Sequence, residues 1–251
     1  MSVQGMRTVI TGAASGIGRA TAGLLQTSGA KVFLSGLKKP ALDEAVRELT
    51  ALGGEEPDCA VCDVRKSEDC SNLVVKACEH FGEIDALVHC AGVLRAQDSR
   101  PGPLHELDDE EYEVVVGTNL KGTFLANRAV LKHMVARKKG QILNVSSISG
   151  RTGLPLASLY SASKAGIIAL SESTAEEVRP FGIRVQVILP DAVDTPLWDQ
   201  NGPIAPAPTW SLKADRVAEV IVWCLGLPPD TILKNMIIEP FRSRRMKASQ
   251  K

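Results

Sequence analysis

A doubly wound α/β sheet is the fold class this chain predicts, and three observations predict it. Short, almost continuously apolar runs alternate with stretches of helical period, a glycine-rich turn follows the first run, and 251 residues with 44 % hydrophobic content suffice for one sizeable core. The apolar runs at 7–11, 31–35, 58–61, 84–89, 141–145, 184–189 and 236–238 read as about seven strands. They show little in-out alternation, so each is buried on both faces, as in a parallel sheet covered by helices. Helical spacing recurs between them at 18–28, 40–52, 67–81, 108–136, 158–179 and 213–225. Strand and helix therefore alternate throughout, and the expectation is one domain over 1–251. Ligands belong at the carboxyl ends of the strands, near the point where strand order reverses.

Charge and cysteine content exclude several classes. Lys plus Arg (29) balance Asp plus Glu (29), so no global field favours nucleic acid or an anionic membrane, and neither is expected as a partner. The first residues carry no cationic and apolar leader pattern, and no apolar run of about eighteen residues follows, so a soluble, cytoplasmic protein is expected. Cys59-Ala-Val-Cys62 lies in a predicted strand, without the helix N-terminus that activates a redox thiol. The remaining cysteines and His80, His89, His105 and His133 complete no ligand spacing, and no metal is predicted.

Three irregular stretches, 94–104, 149–159 and 191–212, follow strand ends. The last combines prolines with Leu197, Trp198 and Trp210, as expected of a lid over a substrate at about 191–212. Arg242, Arg244, Arg245 and Lys247 read as a solvated basic tail.

Chemistry concentrates in two places. Thr11-Gly-Ala-Ala-Ser-Gly-Ile-Gly18 joins the first strand to the first helix. Gly12, Gly16 and Gly18, with Ser15 and Ile17 in the same turn, let a pyrophosphate approach backbone N–H groups at the positive end of that helix. Further on, Tyr160-Ser-Ala-Ser-Lys164 places a phenol and an ammonium on one helix face, where the Lys charge is expected to lower a phenol pKa of about 10. Ser147, thirteen positions before Tyr160 at a strand end, suits a reacting oxygen, with Ser146 the competing choice.

The TGxxxGxG spacing, the serine and the YxxxK pair resemble the short-chain dehydrogenase/reductase family over essentially the whole chain. The resemblance implies a Rossmann-type sheet and an NAD(P)-dependent oxidoreductase acting on CH–OH groups (EC 1.1.1.-). Tyr160 is then acid/base, Ser147 orients and stabilises, Lys164 tunes the phenol and binds the nicotinamide ribose, and Asn119 in Thr118-Asn-Leu-Lys-Gly122 supports a water-linked proton path. Asp63 and Val64 fall at the adenine, Ala91 and Gly92 beside the adenosine, and Pro190, Val193 and Thr195 at the nicotinamide carboxamide. His89 and Cys90 depart from the family's paired asparagines, which puts the bonds steadying adjacent strands in question. Asp191 stands where the family has glycine.

The end of the second strand, Leu34-Ser-Gly-Leu-Lys-Lys39, holds no acid for a ribose 2′-OH, while Ser35 and Lys38 or Lys39 suit a 2′-phosphate. Leu37 stands where NADP-preferring members often carry Arg, so NADP is the favoured cofactor and NAD the alternative. The leading expectation is hydride transfer between NADP(H) and a carbonyl or secondary alcohol, similar to 3-oxoacyl-[acyl-carrier-protein] reductase and related carbonyl reductases. An NAD-dependent alcohol, sugar or steroid dehydrogenase is the alternative, and a catalytically silent nucleotide-binding regulator the alternative of another class. Leu154, Leu156, Leu197, Trp198 and Ile204 point to a mostly apolar small-molecule substrate. Arg95, Arg100 and Arg151 read as solvated surface residues first and as carboxylate receivers second. The family resemblance also implies a homotetramer or homodimer.

Overall fold

The computed structural model describes residues 2–241, and the basic tail residues Arg242, Arg244, Arg245 and Lys247 lie outside the described residues. Strand and helix alternate from the start: β1 (Arg7–Thr11), α1 (Gly16–Thr27), β2 (Lys31–Gly36), α2 (Lys39–Ala51), β3 (Asp58–Val61), α3 (Ser67–Phe81) and β4 (Ala86–His89). There follow α4 (Asp109–Val116), α5 (Gly122–Arg137), β5 (Gly140–Val145), α6 (Ser158–Val178), β6 (Ile183–Pro190), α7 (Ala214–Leu225) and β9 (Met236–Ile238), with the short strands β7 (Val193–Asp194) and β8 (Leu212–Lys213) between β6 and α7. The main sheet has seven strands in the order β3-β2-β1-β4-β5-β6-β9. All its pairings are parallel.

The period of two along each strand divides the core. Ile10, Leu34, Val88, Leu143 and Ile188 meet Leu25 of α1, Leu42 of α2 and Ile221 of α7 on one face. Their neighbours Val9, Phe33, Leu87 and Ile142 meet Leu73 of α3, Met134 of α5 and Val178 of α6 on the other. Both faces are covered, which is why the strands read as continuous apolar runs. Chain order reverses at β1, whose neighbours are β2 and β4, so a crevice opens past Thr11 and His89. At the opposite end Arg7 bonds Asp85 at 2.8 Å and Glu83 at 2.7 Å, and Arg137 bonds Glu83 at 2.7 Å, so an ion-pair cluster ties the amino ends of the strands together. Among the described residues, no helix is long and apolar enough to cross a membrane.

Two stretches differ from the sequence expectation. The helix expected over 108–136 is interrupted by a π turn at Gly117–Lys121. The 191–212 stretch is built rather than irregular: β7 pairs with β8 at its base, Val193 opposite Leu212, and a kinked 3₁₀ segment, Pro196–Ile204, turns at Gly202 with φ 63°.

Candidate active site

The glycine turn forms a cradle that side chains would fill. Gly12 has φ +65°, and a Cβ there would lie 2.8 Å from the Ala91 nitrogen; Gly16 has φ +53°, and a Cβ would meet Thr195 at 3.2 Å. A Cβ at Gly18 would lie 2.3 Å from the Gly12 carbonyl oxygen. Ser15 caps α1 with extended backbone and no side-chain bond, so the first-turn amides, Ile17 included, stay open to an anion. These close approaches bring the β1 turn, the Ala91–Gly92 corner and Thr195 together, although they lie far apart in sequence. A dinucleotide pyrophosphate fits this cradle.

Toward the adenosine end, Leu37 is 59 % exposed and Lys38 caps α2 with an extended backbone. Lys39 pairs with Asp43 one turn on, whereas Lys38 has no ion-pair partner among the described residues. Strand alternation sends the Ser35 hydroxyl to the same face as Phe33, where it is buried near Cys62. Asp63 accepts from the Arg65 guanidinium at 2.7 and 2.9 Å, and these bonds hold its carboxyl below the usual range despite burial. Val64 is packed under Gly122, where a Cβ would lie 2.7 Å from Val64 Cγ2. The Cys59 thiol is pushed up by burial; Cys62 is driven up by its contact with Cys70 and by burial, so neither has thiolate character.

The reactive set converges at the ends of β4 and β5. Tyr160 and Lys164 open α6 and are 8 % and 5 % exposed. The Lys164 ammonium lies 5.5 Å above the Tyr160 ring centre and donates to the Val145 carbonyl at 3.1 Å. A Cβ on Gly92 would stand 3.4 Å from Lys164 Nζ and 3.1 Å from Asn119 Oδ1. Asn119 accepts from Val93 N–H and donates to the Val93 carbonyl, both at 2.8 Å, and donates to Ser163 Oγ at 3.0 Å. The π turn presents Asn119 to these partners, since an i+5 turn re-aims a side chain that a regular helix would carry past them. The two serines differ in hydrogen bonding. Ser146 Oγ is spent on the Lys164 carbonyl at 2.7 Å, whereas Ser147 Oγ accepts only Ser149 N–H and faces the phenol.

Burial controls the protonation of this set and corrects an expectation. In the protein alone the Tyr160 phenol is not lowered by Lys164. Desolvation pushes it up to about 12, and the hydrogen bond with Ser147 offsets only part of that. Burial pulls Lys164 down to about 8, opposed by Cys90. The ammonium lies over the ring rather than at the hydroxyl, and it is itself desolvated. Cys90 is raised to about 12 by burial. His89, whose place raised doubt about strand bonding, meets Thr11 Oγ1 through Nδ1 at 2.9 Å, so a cross-strand bond survives. Burial and the Lys164 charge hold it at about 3, neutral at any ordinary pH.

Beyond β6, which Pro190 ends, the Val193 carbonyl accepts from Trp198 Nε1 at 2.9 Å. Thr195 is half-buried against Gly16 with no side-chain capping bond. Asp191, standing where the family has glycine, has no left-handed backbone, and its N–H donates to the Ile238 carbonyl at 2.9 Å. Arg95 is no surface residue: it is 6 % exposed and bonded to Asn201 and Leu156. Gln200, Asn201 and Glu111 escaped the sequence reading because nothing local marks them; each acts on a backbone or side chain distant in the chain.

Residues 7–203 match the short chain dehydrogenase family. The chain belongs to that family and is an oxidoreductase acting on CH–OH and carbonyl groups. It is 36 % identical over 200 residues to the 3-oxoacyl-[acyl-carrier-protein] reductase FabG of Thermotoga maritima, covering 80 % of this chain and 79 % of that one. Among solved structures, levodione reductase superposes with a TM-score of 0.87 at 28 % identity, over 94 % of this chain and 96 % of that one. A metagenomic short-chain oxidoreductase in complex with NADP superposes at 0.81 and 30 % identity, over 97 % and 100 % of the two chains. A Brucella melitensis 3-oxoacyl-[acyl-carrier protein] reductase with bound NAD superposes at 0.82 and 29 % identity, over 95 % and 91 %.

Proposed function

We propose that the protein reduces a ketone or aldehyde to the alcohol with NADPH, on substrates like those of 3-oxoacyl-carrier-protein reductases and related carbonyl reductases. One observation carries this reading: Ser147, Tyr160, Lys164 and Asn119 meet in a single buried patch beside the glycine cradle. When bound, the nicotinamide supplies hydride to the carbonyl carbon. Tyr160 gives its proton to the carbonyl oxygen, so that a C–H and an O–H bond form as the C=O double bond becomes single. A phenol held up to about 12 keeps its proton in neutral solution, which suits the reductive direction. Ser147 donates to the same oxygen and steadies the charge that develops there. Lys164, held by Val145, has N–H groups left for the nicotinamide ribose and for returning a proton to Tyr160. Asn119 keeps the corner after Gly92 against α6, so the proton path keeps its geometry.

NADP is the preferred cofactor in this reading, supported by Lys38 and by the lack of an acid at the end of β2; the relatives bind either nucleotide. Pro190, Val193 and Thr195 hold the carboxamide, Asp63 and Val64 the adenine, and 191–212 covers the substrate. The assembly is a homotetramer or homodimer, supported by the exposed aromatics Tyr112 and Phe124 on adjacent helices. A panel of carbonyls and alcohols assayed with both nicotinamide cofactors tests the proposal. Turnover with NADPH that Tyr160→Phe removes is the expected result; no turnover with any member, or turnover that survives Tyr160→Phe, overturns it.

A further inference from the structure

The Arg95 guanidinium joins three segments that are distant in sequence. Its Nε donates to Asn201 Oδ1 at 2.7 Å and its Nη2 to the Leu156 carbonyl at 2.7 Å. The backbone N–H groups of Leu94 and Arg95 donate to Gln200 Oε1 at 2.7 and 3.1 Å. Arg95 and Asn201 are each 6 % exposed. A cation is kept in so dry a place only where its directed hydrogen bonds are used, because desolvating it is otherwise strongly unfavourable. Glu111, itself 3 % exposed, supplies the compensating charge nearby, and its Oε2 fixes the next backbone N–H, that of Ala96, at 2.8 Å.

What Arg95 grips is also informative. Leu156 has φ +61°, a left-handed conformation disfavoured for a leucine, and it lies one turn ahead of Tyr160. Beneath this polar layer, Leu94 packs with Val115, Ala157 and Tyr160, and Leu197 of the 191–212 segment closes on the same cluster. Lid, Leu156 turn and reactive phenol are thus stitched together at two levels, polar outside and apolar inside. We propose that Arg95 is a positioning residue for the reaction: it latches the 191–212 segment onto the Leu156 turn and so sets the width of the substrate entrance over Tyr160. The latch touches neither the glycine cradle nor the reacting oxygen. Its effect therefore falls on substrate selection and not on cofactor affinity. The kinetic part of this inference rests on the proposed carbonyl reduction; the closure itself does not.

The full-length protein carrying Arg95→Ala, Arg95→Lys, Asn201→Ala or Asn201→Asp tests it by two independent readouts. The first is cleavage of the otherwise folded chain by chymotrypsin at Trp198 and Trp210. Arg95→Ala, Arg95→Lys and Asn201→Ala should be cut about tenfold faster than the parent, since a compact ammonium does not reproduce the planar, spread donors that reach Asn201 and Leu156 at once. Asn201→Asp keeps the acceptor for Arg95 while losing the 3.3 Å bond from Asn201 Nδ2 to the Ala205 carbonyl, and should be cut more slowly than Asn201→Ala. The second is NADPH-linked reduction of ethyl acetoacetate against ethyl benzoylacetate. The three loosened variants should lose about tenfold of the parent's discrimination in kcat/KM while the NADPH Kd stays within about threefold. Unchanged cleavage and unchanged discrimination in Asn201→Ala overturn the latch even if Arg95→Ala fails to fold. If the parent reduces neither ketone, the best carbonyl pair from the panel replaces them, and if no member is reduced the reaction assignment fails and the cleavage rates alone decide the latch.

Discussion

At single residues, burial outweighs local charge in this site, and the consequence is testable by pH. Lys164 is held at about 8 against an ordinary 10.5. Between those values the unfolded chain binds more protons than the folded one, so stability rises with pH across that window and is lost again as pH falls through about 8. Tyr160, raised from 10 to about 12, works in the opposite sense, and its stabilisation is lost only as pH rises beyond 10. Buried thiols such as Cys62 and Cys90 act in the same sense as Tyr160 from about pH 9 upward, so the Lys164 contribution is read as a difference: between pH 8 and 10 the cofactor-free parent should gain Tm relative to Lys164→Met, and parallel curves refute the burial argument. Tyr160→Phe should lower kcat by roughly 10²–10⁴-fold, the usual weight of a general acid, and leave NADPH affinity within a few-fold. The two serines should separate cleanly. Ser147→Ala should lower kcat by about 10²-fold with Tm unchanged, as loss of a donor to a developing oxyanion does. Ser146→Ala removes the buried partner of the Lys164 carbonyl and should cost about 1 kcal/mol in denaturant unfolding. A reversed pattern would exchange their roles.

Secondary elements show what a sequence reveals and what it hides. The strand Arg7–Thr11 and the helix Ser67–Phe81 were legible to the residue because burial on both sheet faces and one-sided burial on a helix leave different periods. The π turn at Gly117–Lys121 was not legible, because it depends on Asn119 reaching Val93, 26 residues away, and no local propensity encodes such a bond. The clip between β7 and β8 was hidden likewise, since two-residue strands carry no period. Of the site, the glycine turn and the Tyr160–Lys164 pair could be read from spacing alone. The orientation of Ser35 and the burial of Arg95 could not, since both follow from neighbours that fold in from other elements. The β2–α2 junction carries a prediction at this scale. Leu37 is exposed beside Lys38, so Leu37→Arg should add a second cation for a 2′-phosphate and tighten NADPH by about tenfold, with NADH affinity unchanged. Equal tightening of both nucleotides would show that the junction does not read the phosphate.

The whole molecule divides its labour between the two ends of one sheet. The ion-pair cluster of Arg7, Glu83, Asp85 and Arg137 secures the amino ends, while the carboxyl ends are left to glycine turns, loops and buried polar groups. Two pairs of exposed apolar side chains on the flanking helices and the sheet edge are candidates for contacts between copies. Tyr112 and Phe124, 50 % and 42 % exposed, lie on α4 and α5, and Arg128 covers part of the Phe124 ring at 4.7 Å. Trp223 and Ile237, 47 % and 49 % exposed, lie on α7 and on β9 at the sheet edge. An isologous contact uses one patch on both partners, so two separate patches on one chain build a tetramer with dihedral symmetry rather than stopping at a dimer. With no net charge to keep copies apart, aromatic patches of this kind are expected to associate. Light scattering of the purified protein should give a tetramer. Phe124→Glu should reduce it to a dimer held through the α7 and β9 patch, and Trp223→Glu to a dimer held through α4 and α5. Combining the two should give a folded monomer with unchanged far-ultraviolet dichroism. A monomeric parent, or a tetramer indifferent to both substitutions, would show that these surfaces face solvent.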